Sequence, residues 1–512
     1  MDQLGNLVLS QAKTIPTQDS VERAPWNHPF LEADKIRRFR EYSEQVWQFA
    51  DKHGAARPGR KIQCGFSVNM AQNMYKWGGL ASKYGHESAL ILNPMDNCVI
   101  SQPEWEEYDG EYGNIFDVPG FVRKSGKLTP GIPVLRPSMD AGVLINALAG
   151  FNMGDRKPLL DIMAAHQGMR HEPFFAYAGV YPYFAWACDL HKFEVNCIAG
   201  LPIAAYLGGK PYCAIPVGAD FETDCGRGDD YGKIVSLSFG AARFIFFSNP
   251  HSLGHARRLG LDNGVYLPYP MDSRDRYCPG EGAARKDWVK KYGDGIYVLS
   301  TSRIDAAVKG NGEGLLKALV AAAGRNPALK FVFLLWGSNA DMFQKQIDAS
   351  PCARQFIILP PVGKQRLIDY YRSSDIVLDH FVYGYYGATA LEAAAVGKPV
   401  VMKLRAEQYS PLYAADVAPV FNVSRPEEVQ DTLLRLAGDA ALRLSAGEKM
   451  RQWLVRSHGE EKAVPRMMSL LALAADRVPL PDEIAALNPL LDPLSDNEIA
   501  YHKSCLRQPP EK

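Results

Sequence analysis

Between Asp375 and Met402 the chain carries a stretch suited to holding a phosphate. Ile376-Val377-Leu378 is a short apolar run of the kind that forms a buried strand. Tyr383-Gly384-Tyr385-Tyr386-Gly387 is a glycine- and tyrosine-rich turn, and Ala388–Val396 is rich in the strongest helix former. Gly397 supplies a C-cap, Pro399 stops the helix from resuming, and Val400-Val401-Met402 restarts a strand. A strand, a glycine turn and a helix in that order aim the helix N-terminus at the space above a sheet. Its free N–H groups and partial positive charge suit an anion. Gly387, Ala388 and Thr389 would offer those N–H groups to phosphate. Glu392, one turn in, puts a carboxylate where ribose hydroxyls can donate to it.

A diphosphate also needs fixed positive charge. Arg303 and Lys309 follow the apolar run Ile296–Ser300, where a strand would end. Arg suits a bidentate phosphate contact, and Lys acts as a point charge. Asp379 and His380 close the strand that precedes the glycine turn. Asp220 follows a further strand candidate, Pro211–Val217. At the C-terminal edge of a strand a carboxylate faces the crevice in which open α/β sheets take ligands, so Asp220 either touches a ligand there or caps a turn.

The wording GYYGATALEAAAVGKPVV resembles the donor-binding signature of retaining GT-B glycosyltransferases of family 4. That signature is a Glu, seven residues, a second Glu, then Ala, a small residue, Gly, any residue, Pro and Val. Glu392 matches the second Glu, and Gly384 stands where the first belongs, so the resemblance is to a divergent branch. SRIDAAVKG resembles the family's G-R-x-x-x-x-K-G step, with Ser302 for the first Gly and a slightly longer gap. LASKYGHESALIL resembles the entry to many N-terminal domains of this fold.

The resemblance implies two Rossmann-like doubly wound α/β domains facing a cleft, behind an N-terminal helical extension. It implies that Arg303 and Lys309 hold the donor diphosphate, that the backbone at Val362 meets the base, and that Glu392 binds the ribose. Asp379 or His380 would take over part of the role lost at Gly384. The implied activity is transfer of a hexosyl-type sugar from a nucleotide sugar, with retention, to a glycan or lipid-linked glycan in surface polysaccharide synthesis. The leaving phosphate would accept the proton. No cofactor beyond the donor is implied. The chain has no Asp-x-Asp, the motif with which metal-dependent glycosyltransferases hold a divalent ion, so no metal is expected and Arg303 and Lys309 must supply the charge. The alternative is a catalytically degenerate GT-B protein that keeps the nucleotide-sugar pocket. Sugar-nucleotide epimerases share the fold without this wording.

The elements that position these residues read as follows. At 512 residues two or more domains are expected. An extension spans 1–60, with a helix over Leu31–His53 on which Ile36, Phe39, Tyr42, Val46 and Phe49 recur at helical spacing. An acceptor domain spans 61–270, a linker 271–294, a donor domain 295–455, and a helix crossing back with a tail 456–512. In the first domain, Ser101–Glu107 reads as an acidic, aromatic loop, solvated rather than an acceptor-facing insertion, and Phe174–Ala178 as a strand, with Tyr177 or Tyr181 near its end. His166, His171 and His191 read as structural or surface side chains. In the second, strands alternate with helices at the spacing of a parallel sheet, and Ser424-Arg425-Pro426-Glu427 reads as a capping box.

Lys plus Arg and Asp plus Glu both number 57, which gives no basic excess for nucleic acid. The nine cysteines include no Cys-x-x-Cys, and no His sits at finger spacing, which argues against a zinc site and for a reducing compartment. No secretory leader and no apolar run of transmembrane length stand out. The expectation is a cytoplasmic protein, with peripheral contact at the inner face of a membrane left open.

Overall fold

The structure is a computed structural model that describes residues 32–92, 98–126, 128–136, 141–170, 180–382, 384–497 and 499–500. It divides into two compact units. The first comprises residues 1–103, 129–268 and 464–512, the second 104–128 and 269–463.

The first unit is built on seven parallel strands: β1 (Gln63–Ser67), β2 (Glu87–Ile91), β3 (Val134–Leu135), β4 (Val195–Ala199), β5 (Tyr212–Ile215), β6 (Phe244–Phe247) and β7 (Gly264–Tyr266). Their order is β3-β2-β1-β4-β5-β6-β7. Strands such as Val195–Ala199 and Phe244–Phe247 are buried at every position, as a sheet covered by helices on both faces requires. The helix Ala33–Ala55, at the end of the N-terminal extension, packs on this sheet. Ile36, Phe39, Tyr42 and Val46 are buried as their spacing predicts, with Trp47 in place of Phe49. Phe39 meets Phe247, and the Ser43 hydroxyl accepts from the Tyr266 amide at 2.9 Å.

The second unit holds six parallel strands: β8 (Ile296–Ser300), β9 (Leu329–Leu334), β10 (Phe356–Leu359), β11 (Ile376–Leu378), β12 (Val400–Met402) and β13 (Phe421–Asn422). The order is β10-β9-β8-β11-β12-β13. The chain builds outward from β8 through β9 to β10, then returns to pair β11 on the other side of β8, with Ile376 opposite Val298 and Leu378 opposite Ser300. The carboxyl ends of β8 and β11 therefore flank the switch point, where an open α/β sheet splays its loops apart and leaves room for a ligand. One face packs around Trp288, Tyr386, Tyr409 and Trp453, the other around Phe331, Phe333, Phe343 and Phe356.

Both units are the doubly wound sheets that the sequence predicts. Several details differ. Ser101–Glu107 is no solvated loop: Glu104–Glu107 is a helical turn whose Trp105 and Glu106 are buried. Trp105 packs on Tyr108 and Phe121, and the Tyr277 hydroxyl donates to the Glu106 carboxylate at 3.0 Å. This segment groups with the second unit. Residues 271–294, expected as a linker, put Met271, Tyr277, Ala284 and Trp288 into the second unit's core. The predicted capping box with Ser424 as N-cap does not form: Pro426 takes the first helical position and Arg425 the N-cap, and Glu428 accepts from the Ser424 amide at 2.7 Å and the Arg425 amide at 3.3 Å. The helix Glu460–Ala475 begins in the second unit and belongs to the first from Val464 onward. The expected strand Phe174–Ala178, with Tyr177 and His171, lies outside the described residues, as does the side chain of Tyr181. His166 and His191 hydrogen-bond backbone carbonyls, as structural histidines do. Among the described residues, no helix is long and apolar enough to cross a membrane.

Candidate functional site

Except for Val362, which lies past β10, the residues singled out in the second unit gather at the carboxyl ends of β8 and β11. Beyond β8 the chain runs through Thr301, Ser302 and Arg303 to a short helix, Ala306–Lys309. Beyond β11 it runs through Asp379 and His380 into the glycine turn and the helix Ala388–Ala395. The Phe381 amide donates to the Lys309 carbonyl at 2.7 Å, which joins the two loops at the switch point.

A continuous polar network lies beneath the start of the 388–395 helix. The Ser302 hydroxyl donates to Asp379 Oδ1 at 2.9 Å, and the Ala390 amide donates to Asp379 Oδ2 at 3.2 Å. Ala390 is the third residue of the helix, so Asp379 caps it electrostatically, anion to positive end. The Thr389 hydroxyl lies 3.0 Å from that of Thr301, which lies 3.0 Å from the Tyr371 hydroxyl. Tyr371 donates to Glu392 Oε2 at 3.2 Å, and Lys364 donates to Glu392 Oε1 at 2.6 Å. Burial, reinforced by the Glu392 charge, holds the Tyr371 phenol well above its ordinary pKa, so it stays a donor. Glu392 is 1% exposed, and both of its oxygens are engaged.

The two cations differ in setting. Arg303 is 44% exposed at the strand edge, 3.5 Å from Asp305. Lys309 is half-buried. Burial depresses its pKa; Asp379 opposes that shift and Arg303 adds to it. Asp379 and His380 are both buried. Burial lowers the His380 pKa, with Asp379 opposing and Lys309 adding, which keeps the imidazole neutral at physiological pH.

Two glycines set the turn. A Cβ on Gly387 would sit 3.0 Å from Asp379 Oδ2 and 3.4 Å from His380 Nε2, so a larger residue requires these side chains to give by a few tenths of an ångström. Gly384 has φ +77°, and a Cβ there would meet Arg405 Cγ at 2.6 Å. The acid absent from this position has no room and an unfavourable backbone.

Val362 lies just past β10 and forms an antiparallel bridge with Glu111. The hydrogen bonds of that bridge are made by its neighbours, Tyr112 N to Pro361 O and Gly363 N to Gly110 O, both 2.9 Å. The N–H and C=O of Val362 itself therefore point away from Glu111. Asp220 lies in the first unit, in the short helix Ala219–Glu222 that follows β5. Its carboxylate accepts from the Val217 amide at 3.2 Å, which is the turn-capping arrangement. Burial raises its pKa to about 7.

Reading the sequence alone missed Thr301, Tyr371 and Lys364. Thr301 and Lys364 each sit within a few residues of a strand's carboxyl end, a signal that was legible. Tyr371 ends an amphipathic helix and reads as core.

No family model matches the sequence, and no curated protein matches it. Solved structures do match in fold. HepE of Anabaena, in complex with UDP-glucose, is 12% identical, with 80% of this chain and 99% of that chain covered and a TM-score of 0.54. Sucrose-phosphate synthase of Thermosynechococcus elongatus is 14% identical, with 82% and 100% covered and a TM-score of 0.51. A TarM mutant of S. aureus, in complex with fondaparinux, alpha-GlcNAc-glycerol and UDP, is 10% identical, with 80% and 99% covered and a TM-score of 0.53. The chain shares the two-sheet α/β fold of these proteins.

Proposed function

We propose that the second unit binds a nucleotide sugar at the carboxyl edge of its sheet and that the protein transfers the sugar to an acceptor. The convergence of Arg303, Lys309, the start of the 388–395 helix and the Glu392 network at one switch point carries this reading. Arg303 grips the diphosphate from the exposed side and Lys309 from within. The first amides of the helix, at Ala388 and Thr389, receive phosphate oxygens. Glu392 takes a ribose hydroxyl on the oxygen that Tyr371 holds at 3.2 Å, while Lys364 keeps the other at 2.6 Å. The Val362 backbone meets the base. Uridine is the base proposed, because the HepE and TarM complexes contain UDP or its glucose ester.

As the sugar leaves, negative charge grows on the diphosphate, and the two cations stabilise it in place of a metal. The departing phosphate takes the acceptor's proton, the sugar is delivered to the same face, and configuration is retained. Asp379 holds the helix start and favours a charged Lys309, and neutral His380 backs the same turn. Asp220, buried just beyond the carboxyl end of β5, is the acceptor-side candidate. The acceptor is a glycan or lipid-linked glycan of a surface polysaccharide, and the donor sugar a hexose type. The reaction runs in the cytoplasm, at the inner face of the membrane when the acceptor is lipid-linked.

The test is a thermal-shift screen of UDP, UDP-glucose, UDP-N-acetylglucosamine and GDP-mannose, followed by an assay for nucleoside diphosphate release. A uridine-selective shift with release supports a transferase. A shift without release from any donor supports the second reading, a binding protein whose turnover was lost with the acid missing at Gly384. Absence of any shift sinks both.

A further inference from the structure

Three side chains of the first unit converge away from the residues discussed so far. Glu222 ends the short helix Ala219–Glu222, and His251 and His255 lie one turn apart on the helix His251–Leu259. Spacing of four puts both imidazoles on one face. One carboxylate oxygen and one ring nitrogen from each His lie within 4.8 Å of one another. His251 Nε2 is 3.1 Å from Glu222 Oε1. Two ligands bound at about 2.0–2.1 Å to a tetrahedral ion stand roughly 3.3 Å apart, so this pair is already at coordinating separation. The two ring centroids are 4.9 Å apart and the ring planes cross at 71°.

The backbone brings these groups together by topology. Glu222 follows β5 and His251 follows β6, and these strands are adjacent and parallel, with Cys213 opposite Phe244. Both loops leave the carboxyl edge of the sheet, the edge that takes ligands in open α/β folds. The Arg258 guanidinium, on the same helix as the histidines, donates to the Glu222 carbonyl at 2.9 Å and fixes the carboxylate's chain to that helix. The side chains of Glu222 and His251 are each 9% exposed, and His255 is 2% exposed. Two imidazoles and one carboxylate suit zinc, cobalt or nickel, whereas calcium and magnesium want oxygen ligands.

We propose that Glu222, His251 and His255 form a binding site for a divalent ion of the zinc class, with the remaining position left to water. The site departs from the expectation of a chain without metal and uses none of the donor-binding residues.

The experiment uses the untagged full chain, stripped with a chelator. Cobalt(II) is titrated and followed by its visible ligand-field absorption, zinc is then added in competition, and magnesium and calcium serve as controls. One equivalent of cobalt is expected to bind with a four- or five-coordinate spectrum, to be displaced by one equivalent of zinc, and to be unmoved by magnesium or calcium. Glu222→Gln and His255→Gln are each expected to weaken binding by more than the ~10–100-fold typical for an outer-shell partner. Zinc-edge X-ray absorption on the wild-type chain, which needs no variant, is expected to show two imidazoles in the first shell. Failure of cobalt to saturate at one equivalent, a zinc shell without imidazole, or folded variants that bind as wild type would overturn the proposal.

Discussion

The Lys364 ammonium donates to the Glu392 carboxylate at 2.6 Å between side chains that are 11% and 1% exposed. The contact ties the helix after β10 to the helix after β11, so the turn that follows β11 is held from below by a charge pair. Desolvating two charges is costly, and their attraction repays it only while both are present.

Removing one partner should therefore cost more than removing both. Lys364→Met leaves a buried carboxylate uncompensated and is expected to destabilise the chain by about 3–5 kcal/mol. The double variant Lys364→Met/Glu392→Leu is expected to recover a substantial part of that loss. Urea unfolding of the wild type, both single variants and the double variant measures the coupling, and additive losses would show that the pair contributes nothing as a pair.

Restoring the acid at the head of the signature should not improve the protein. Gly384→Glu forces a side chain onto φ +77° and against Arg405 Cγ. A loss of about 1–3 kcal/mol is expected, without a gain in nucleoside diphosphate release. A variant as stable as wild type and faster in release would mean that the turn has another conformation in solution.

His458 should set an acid limit on stability. It is fully enclosed, with Nδ1 donating to the Tyr269 carbonyl at 3.0 Å and Nε2 accepting from the Tyr413 hydroxyl at 2.9 Å. Burial pushes its pKa down to about 4 from 6.5. The unfolded chain takes up a proton in that window and the folded chain does not, so stability is full above about pH 6.5 and falls as pH drops toward 4. The contribution of this group reaches about 3 kcal/mol at the low end. His458→Gln should lower stability at neutral pH and flatten the slope between those limits. An unchanged slope would assign the acid sensitivity to other groups.

Arg303 should separate binding from stability. Its side chain is nearly half exposed, so Arg303→Ala is expected to change unfolding free energy by no more than about 0.5 kcal/mol. Loss of a charged phosphate contact, about 1.5–3 kcal/mol, should weaken UDP binding by roughly 10–150-fold in calorimetry. Arg303→Lys should restore only part of it, because an ammonium cannot make the bidentate contact. Equal UDP affinity in Arg303→Ala and wild type would remove Arg303 from the donor site.

Much of the second unit was legible in sequence because its strands are short, wholly apolar and punctuated by glycine and proline. Ile376–Leu378, Ala388–Ala395 and Val400–Met402 lie where those signals put them. The segment Glu104–Leu128 was not legible. Its acidic, aromatic composition resembles a surface loop, and only a partner distant in sequence, the region around Arg276 and Tyr277, explains why Glu106 can be buried. β13 was missed for a related reason: two residues carry no period, and Phe421–Asn422 is a strand only because Met402 lies beside it.

By itself the sequence determined the alternation of strand and helix, the glycine turn before the 388–395 helix, and the placement of Arg303, Lys309 and Glu392 after strand ends or at a helix start. These are local matters, set by backbone preference and by the period of apolar residues. The tertiary structure decided what each polar group faces. Asp379 is spent on Ser302 and Ala390, Glu392 on Lys364 and Tyr371, and Asp220 on the Val217 amide. The partners of Asp379 and Glu392 lie between 11 and 77 residues away in the chain, so nothing short of the folded sheet order brings them into reach.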